Sequence, residues 1–314
     1  MAAVSVAVVS DYPASVTITE SVTRDGLQSL GAFVPTAAKS GLIDSLAGAG
    51  LRTFDAVSFV SPKWVPQMAD GAEVIAGIET NGLRLIGLVP NMEGLENAVA
   101  AGVTDVGVLT AASDTFCERN LNASVDESMH RIRRILFDGP DDITVRAYIS
   151  TATHCPYEGP QEPDWVADLA LTLAEWGVQE IFLGDTIGMA TPADVNALLD
   201  EVLTQIPADN IGVHFHDTYG QAIANTVVAL QRGIDKMDSS AGGLGGCPFA
   251  PGASGNVATE DLIWLLDGLG IGHGIDVGKV AEIADEFCTK HELVYRSRAG
   301  RAILAARRLE EESS

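Results

Sequence analysis

The chain alternates between two textures. Short runs rich in β-branched and apolar residues predict eight strands: "SVTITE", "RTFDAVSFV", "LRLIGLVP", "VTDVGVLT", "ITVRAYIS", "VQEIFLGD", "NIGVHFHD" and "IDKMDSS". Between them lie stretches whose apolar residues recur at helical spacing, "TAAKSGLIDSLAGA" and "TPADVNALLDEVLTQI" among them. The second opens on Thr-Pro, and a proline at the first helical position costs no hydrogen bond, because its N–H would have had no partner there. At the joints "GAGLRTFD", "AAGVTDVG", "EWGVQEIF" and "QRGIDKMD", the residues Gly50, Gly102, Gly177 and Gly233 stand where a helix ends and a strand begins. That is the position just past a helix where a left-handed backbone favours glycine.

A strand that follows each helix at once implies parallel strands joined by right-handed crossovers. Eight such units in about 250 residues predict an α/β fold of the TIM (β/α)8 barrel type. The barrel is expected over residues 16–276 and a short C-terminal helical extension over 277–314, all in one catalytic domain. An open doubly wound sheet is the second arrangement, but no GxGxxG opens a helix after the first strand. No Pro/Gly/Ser linker divides the chain, and the tail "SRAGRAILAARRLEEESS" reads as a charged helix that frays at its end.

Composition narrows the partners. Of 314 residues 46% are hydrophobic and 20% charged, which is globular rather than disordered. The formal net charge is −24, from 43 acidic against 19 basic residues, and a field of that sign repels nucleic acid and anionic membranes. No apolar stretch reaches the roughly 20 residues of a membrane helix. The opening "MAAVSVAVVSDYPASV" lacks a basic segment, so it reads as a lead-in or an extra strand rather than a signal peptide. Cys117, Cys155, Cys247 and Cys288 show no CxxC pair, so a reducing cytoplasm is expected rather than a disulfide framework. Cys117 and Cys288 fall on helical stretches and read as packing residues, and Cys155 is expected to line the pocket. Met68, Met129 and the tryptophans read as core or loop packing.

In a barrel of this type the C-terminal ends of the strands carry function. Polar groups gather there. The first strand ends in Glu20 and runs into "TRDGLQS", where Arg24 and Asp25 sit side by side. That pair is either a surface turn with a local ion pair or an edge where the Asp holds a metal and the Arg an anion. Asp55 lies on the second strand and Asp185 ends the sixth. In "HFH", His214 and His216 are two apart, so on a strand both point to one face and can share a metal; the other reading is one core and one surface histidine. With Asp25 and Asp217 as carboxylates, the set suits Mg²⁺ or Mn²⁺ at least as well as Zn²⁺. The stretch from Ala241 to Asn256 holds six glycines in sixteen residues. Cys247, Pro248 and Phe249 within it are more than a spacer needs, so it reads as a mobile lid that delivers Cys247 to the site and Asn256 to the metal. No basic residue in that loop depresses the thiol pKa, so a neutral thiol that donates a proton is the natural role.

Taken together, "TRDGLQ", "SFVSPKWVPQMAD", "CPYEG", "GDTIGMATP", "HFHDTYGQAIANT" and "GGLGGCPFAPGASGNVATEDL" resemble the hydroxymethylglutaryl-CoA lyase family of the DRE-TIM metallolyases, over residues 16–276. The resemblance implies a divalent cation, Mg²⁺ or Mn²⁺, held by Asp25, His214, His216 and Asn256. It implies Arg24 as the oxyanion-stabilising group, Cys247 as a mobile acid, and Asp185, Asp55 and Glu20 as further carboxylates of the site. Gln28 and Arg24 would bind substrate, and the base would be His214 or Asp185. The implied reaction is a retro-Claisen cleavage of a 3-hydroxy-acyl-CoA to acetyl-CoA and, for the parent substrate, acetoacetate, in a homodimer. Two departures stand out. The family usually has Glu where Asp55 stands, one methylene longer, so the contact is expected to shift or take in a water. Where the family commonly has a lysine-bearing run, "SLGAF" carries no charge, which removes one phosphate contact for CoA.

Three other readings compete. A metal-dependent hydrolase of the amidohydrolase type places HxH near its first strand, whereas here it comes late and only His273 and His291 follow. A Claisen-type synthase of the same superfamily usually carries a further C-terminal domain. A non-catalytic barrel would be expected to have lost some of Arg24, Asp25, His214, His216, Cys247 and Asn256.

Overall fold

The computed structural model of the protein describes residues 12–246 and 255–313. Eight parallel strands close into a barrel: β1 (Thr17–Glu20), β2 (Thr53–Ser58), β3 (Arg84–Leu88), β4 (Asp105–Ala111), β5 (Thr144–Ser150), β6 (Glu180–Asp185), β7 (Ile211–Phe215) and β8 (Lys236–Ser239). Each strand pairs with its neighbours in sequence, and β8 closes the ring against β1 with Thr19 opposite Asp238. The eight apolar runs of the sequence supply these eight strands. A two-stranded antiparallel hairpin, His154–Cys155 with Gly159–Pro160, sits in the loop after β5 and has no counterpart in the sequence reading.

Helices surround the barrel: α1 (Thr36–Gly48), α2 (Gly71–Ala76), α3 (Met92–Ala100), α4 (Asp114–Leu121), α5 (Val125–Asp138), α6 (Pro163–Glu175), α7 (Pro192–Val202), α8 (Ala222–Gln231) and α9 (Thr259–Leu269). Thr191 and Pro192 start α7 as expected, and a capping box with Asp194 reinforces the start. Gly50, Gly102, Gly177 and Gly233 all have positive φ, as their place after a helix requires. The apolar faces of these helices and the outer faces of the strands form one continuous buried core. Leu88, Tyr148 and Phe182, from β3, β5 and β6, form a separate buried cluster.

Two more helices, α10 (Val277–Lys290) and α11 (Arg298–Glu312), form the C-terminal extension. The link between them is tied back to α9, where Tyr295 Oη donates to Glu260 Oε1 at 2.9 Å and Ser297 Oγ to Asp261 Oδ1 at 2.7 Å. Cys117 and Cys288 are buried on α4 and α10, as expected of packing residues, and Met68 and Met129 are buried too. Trp64, Trp165 and Trp264 are instead exposed. No helix among the described residues is long and apolar enough to cross a membrane.

Candidate metal centre and active site

The end of β1 shows how the sequence builds the site. Residues Val22–Gly26 form a π-helical turn in which all five residues are buried. Arg24 and Asp25 do pair locally, with Arg24 Nη1 to Asp25 Oδ1 at 2.7 Å, but the turn is no surface feature. A β-carbon on Gly26 would come within 2.9 Å of Ser240 Oγ and 3.2 Å of Val22, so a side chain there would have to push one of them aside for the turn to seat against the loop after β8. Glu20 fixes the turn from below. Val22 N–H and Ala241 N–H each donate to its Oε1 at 2.9 Å, and Thr259 Oγ1 donates to Oε2 at 2.7 Å. Burial pushes its carboxyl up to about 8 against these donors. Glu20 therefore braces the turn rather than reaching the cluster.

Arg24 lies between two carboxylates. Its Nε donates to Asp55 Oδ2 at 2.7 Å and its Nη2 pairs with the same oxygen. Asp55 thus meets the guanidinium directly despite its shorter side chain. A register shift between Asp55 and Val57 against β3 bends β2 at this point. Burial opposes the charge on Arg24, but Asp55 and Asp25 overcome that and raise its pKa. Burial likewise pushes against ionisation of Asp25; the Arg24 charge, with His216 and His214, outweighs it and holds that carboxyl well below the usual range. The Asp55 carboxyl goes the other way: burial raises it, and Arg24 only partly offsets the effect.

Asp25, His214 and His216 come together with ligand atoms all within 4.8 Å of one another. Asp25 Oδ2 is 3.6 Å from His216 Nε2 and 3.9 Å from His214 Nε2, and the two Nε2 atoms face each other at 3.2 Å. The "HFH" spacing does put both rings on one face. Gln28 Nε2 donates to Asp25 Oδ1 at 2.6 Å, and Asn256 Nδ2 donates to Asp25 Oδ2 at 2.8 Å. Asn256 is placed by an antiparallel bridge to His216 and by the Asp217 N–H bond to Gly255 O, 2.9 Å. Four expected ligand residues therefore share one buried spot.

The donor set fits a divalent cation. Asp238 Oδ2 lies 3.1 Å from His214 Nδ1, so the proton on that ring belongs on Nδ1 and leaves Nε2 a bare lone pair aimed at Asp25 and His216. His216 Nδ1 is buried with no hydrogen-bond partner. Two imidazoles, one carboxylate held ionised and one carboxamide are ligands a hard or borderline cation accepts. Asn256 would offer its oxygen only with its amide turned over from the orientation that donates to Asp25. Burial lowers the pKa of His216, and the neighbouring His214 adds to that against the Asp25 hydrogen bond. For His214, burial acts downward but Asp238 prevails and raises it.

Other expected residues are placed differently. Asp185 ends β6 and turns into its own loop: Met189 N–H donates to Oδ1 at 3.1 Å and Ala190 N–H to Oδ2 at 3.0 Å. Burial pushes its carboxyl up to about 7 against these bonds. Asp217 does not join the cluster: it accepts from Ala222 N–H at 3.0 Å and pairs with Arg298 Nη1 of the extension at 2.5 Å. Cys155 lies in the hairpin after β5, buried, with its thiol 3.0 Å from Ser113 Oγ. Cys247, and with it the central part of the expected lid, lies outside the described residues. Sequence reasoning missed Tyr148, whose ring lies 6.0 Å from the Arg24 guanidinium and edge-on to His214 at 6.2 Å. It also missed Asp238. The signal was there: "KMDSS" sets a carboxylate at an inner position of a buried strand.

A family model described as HMGL-like matches residues 15–286. The chain is 46% identical over 300 residues to "3-hydroxy-3-methylglutaryl-CoA lyase, cytoplasmic" of Rattus norvegicus, covering 95% of this chain and 88% of that protein. It is 49% identical over 288 residues to "Hydroxymethylglutaryl-CoA lyase, mitochondrial" of Mus musculus, covering 91% and 89%. The crystal structure of hydroxymethylglutaryl-CoA lyase from Pseudomonas aeruginosa superposes with a TM-score of 0.91 at 43% identity, over 94% of this chain and 99% of that one. The motifs around Arg24, His214 and Asn256 thus lie inside a match that spans the whole barrel, and the chain belongs to the HMGL-like family.

Proposed function

We propose that this chain is a divalent-metal-dependent carbon–carbon lyase that cleaves hydroxymethylglutaryl-CoA to acetyl-CoA and acetoacetate. The observation that carries the reading is the meeting of Asp25, His214 and His216 beside the buried guanidinium of Arg24. The names of its relatives support the same substrate. Asp25, His214, His216 and Asn256 are the proposed ligands of Mg²⁺ or Mn²⁺, and such a cation supplies Lewis acidity that makes a neighbouring substrate hydroxyl easier to deprotonate.

The residues then divide the work. The hydroxyl proton passes to Asp185. With the cation on Nε2 and its own proton on Nδ1, His214 has no lone pair left to take it, whereas burial places the Asp185 carboxyl at about 7, where a carboxyl both accepts and returns a proton near neutrality. The α–β carbon bond breaks as the hydroxyl carbon becomes a ketone. The bonding pair moves to the α carbon and is shared with the thioester oxygen as an enolate. Arg24 faces that developing charge; because Asp55 and Asp25 already fix its guanidinium, it pays no reorganisation cost when the charge appears. Gln28 steadies Asp25 from the side. Cys247, outside the described residues, is the proposed donor of the proton that completes acetyl-CoA. We take the working assembly to be a cytoplasmic homodimer, which size-exclusion chromatography with light scattering tests for the dimer.

The experiment is thioester cleavage of hydroxymethylglutaryl-CoA followed with added Mn²⁺, with and without chelator. Acetyl-CoA that appears with metal and stops with chelator is the expected result; no cleavage of this substrate under either condition rejects the reading. Asp185→Asn in the same assay tests the base: Mn²⁺ binding kept with turnover lost is the expected result, and turnover that persists means that another group takes the proton.

A further inference from the structure

Behind His214 a line of charge crosses the barrel interior. Asp238 is fully buried, and its two oxygens face different partners: Oδ2 lies 3.1 Å from His214 Nδ1, and Oδ1 lies 3.4 Å from Arg146 Nη1. Arg146 is itself buried on β5. Its Nε and Nη2 both reach Glu180 Oε2 at 2.8 Å, its Nη1 donates to Thr19 Oγ1 at 2.9 Å, and its guanidinium lies 4.1 Å over the Phe182 ring. Strand register makes the line: Asp238 sits opposite His214 on one side and Thr19 on the other, and Arg146 sits opposite Glu180.

We infer that Asp238 and Arg146 are positioning residues for the metal centre. Asp238 holds the His214 ring with its proton on Nδ1 and its bare Nε2 toward Asp25 and His216. Arg146 holds Asp238 in place and supplies the opposite charge that a buried carboxylate needs. Neither residue touches substrate; both act through His214. The inference rests on the reading of the cluster as a divalent-cation site.

A carboxylate only accepts, so it admits one tautomer of His214. Asparagine has the same shape but one oxygen. In Asp238→Asn that oxygen must take the Arg146 N–H, which turns the NH₂ group toward His214 Nδ1. The ring must then accept at Nδ1 and carry its proton on Nε2, where it blocks the lone pair the cation needs. The substitution therefore inverts the tautomer without emptying the space.

The test uses two readouts besides activity. One is ¹⁵N NMR of histidine-labelled, metal-free protein at fixed pH, with the His214 signals identified by their loss in His214→Asn. The other is Mn²⁺ binding by electron paramagnetic resonance. Wild type is expected to show His214 protonated on Nδ1. Asp238→Asn is expected to show the opposite tautomer and to bind Mn²⁺ about 10–100-fold more weakly with its melting profile kept. Arg146→Lys, which keeps the charge but loses the fork, is expected to weaken Mn²⁺ less than Asp238→Asn does. Wild-type protein that binds Mn²⁺ with His214 protonated on Nε2 overturns the inference even if neither variant folds, and so does an Asp238→Asn protein that binds Mn²⁺ as well as wild type. Protein with the Nδ1 tautomer that takes up no Mn²⁺ instead removes the metal reading on which the inference stands.

Discussion

The two ends of the barrel interior are both lined with buried or half-buried charge, and they are organised in opposite ways. At the N-terminal end, Arg84, Asp105, Glu180 and Arg146 form a closed set. Arg84 reaches Asp105 and Glu180 at 2.7 Å each, and Arg146 reaches Glu180 at 2.8 Å. At the C-terminal end, Arg24 is clamped by Asp55 and Asp25, yet Asp55 Oδ1 and His216 Nδ1 have no hydrogen-bond partner and two imidazole nitrogens face each other. A network that satisfies itself has nothing left for a ligand; it serves the fold and, through Arg146, the placing of His214. One that leaves buried polar atoms unpartnered around facing imidazole nitrogens is costly to keep unless something binds there.

Removing the cation of the open end should therefore have the largest effect. In Arg24→Met the site keeps Asp25 and both histidines but loses the fixed positive charge for the enolate. Turnover is expected to fall on the order of 10³-fold, the loss seen when one preorganised donor is taken from a developing oxyanion. Asp55 loses its counter-charge as well, so stability should drop by about 3 kcal/mol, the low end for one partner of a buried pair. Steady-state kinetics beside urea unfolding separates the two losses. Turnover within tenfold of wild type would mean that the enolate charge develops elsewhere.

Glu20 sharpens the contrast, because it stands at the open end but behaves like a residue of the closed one. Its folded pKa of about 8 lies above the ordinary 4.5, so the folded protein holds a proton there that the unfolded chain releases. The associated stability is fully present below pH 4.5 and is lost as the pH rises through 8. Between pH 5 and 7.5 this amounts to about 3 kcal/mol. Glu20→Gln mimics the protonated acid: its oxygen takes Val22 and Ala241 N–H, and its NH₂ faces Thr259 Oγ1. Denaturant unfolding across that range should show a shallower decline in the variant than in wild type, with the remaining slope coming chiefly from Glu260 and Asp185, each pushed up to about 7 by burial. Equal slopes would show that Glu20 is ionised in the native protein.

Much of this architecture could be read from the residues alone, because a strand's period of two and a helix's of 3.6 are local properties. The eight apolar runs and the glycines after the helices needed no tertiary information, and the "HFH" spacing placed two imidazoles on one face. What escaped was set by register and by distant chain. Asp217 adjoins His216 in sequence and looked like a ligand, but it is captured by Arg298 from the C-terminal extension. Asp238 and Arg146 meet only because the barrel closes with a particular offset between β8, β1 and β5. The turn after β1 is buried because residues more than two hundred positions away, Ser239, Ala241 and Thr259, close over it. The metal ligands themselves were legible chiefly through family motifs, since no local period marks Asn256.

The smallest effect belongs to the closed end, and it tests whether any residue there besides Arg146 acts on the open one. Arg84 is partly open to water, with 28% of its side chain exposed, and so is its partner Asp105 at 25%. In Arg84→Met the apolar stem keeps its packing while the charge is lost. Asp105 can then be solvated, and Glu180 still has Arg146, so no carboxylate is left buried alone. The cost is therefore that of a screened pair, about 1 kcal/mol by urea unfolding, rather than that of a broken buried one. Turnover should stay within about twofold, because Arg146 keeps its other bonds to Thr19 and Asp238 and the line to His214 is intact. A tenfold loss of turnover at that small stability cost would mean that Arg84 joins Arg146 in setting the cluster, and that the coupling reaches beyond the one line through Asp238.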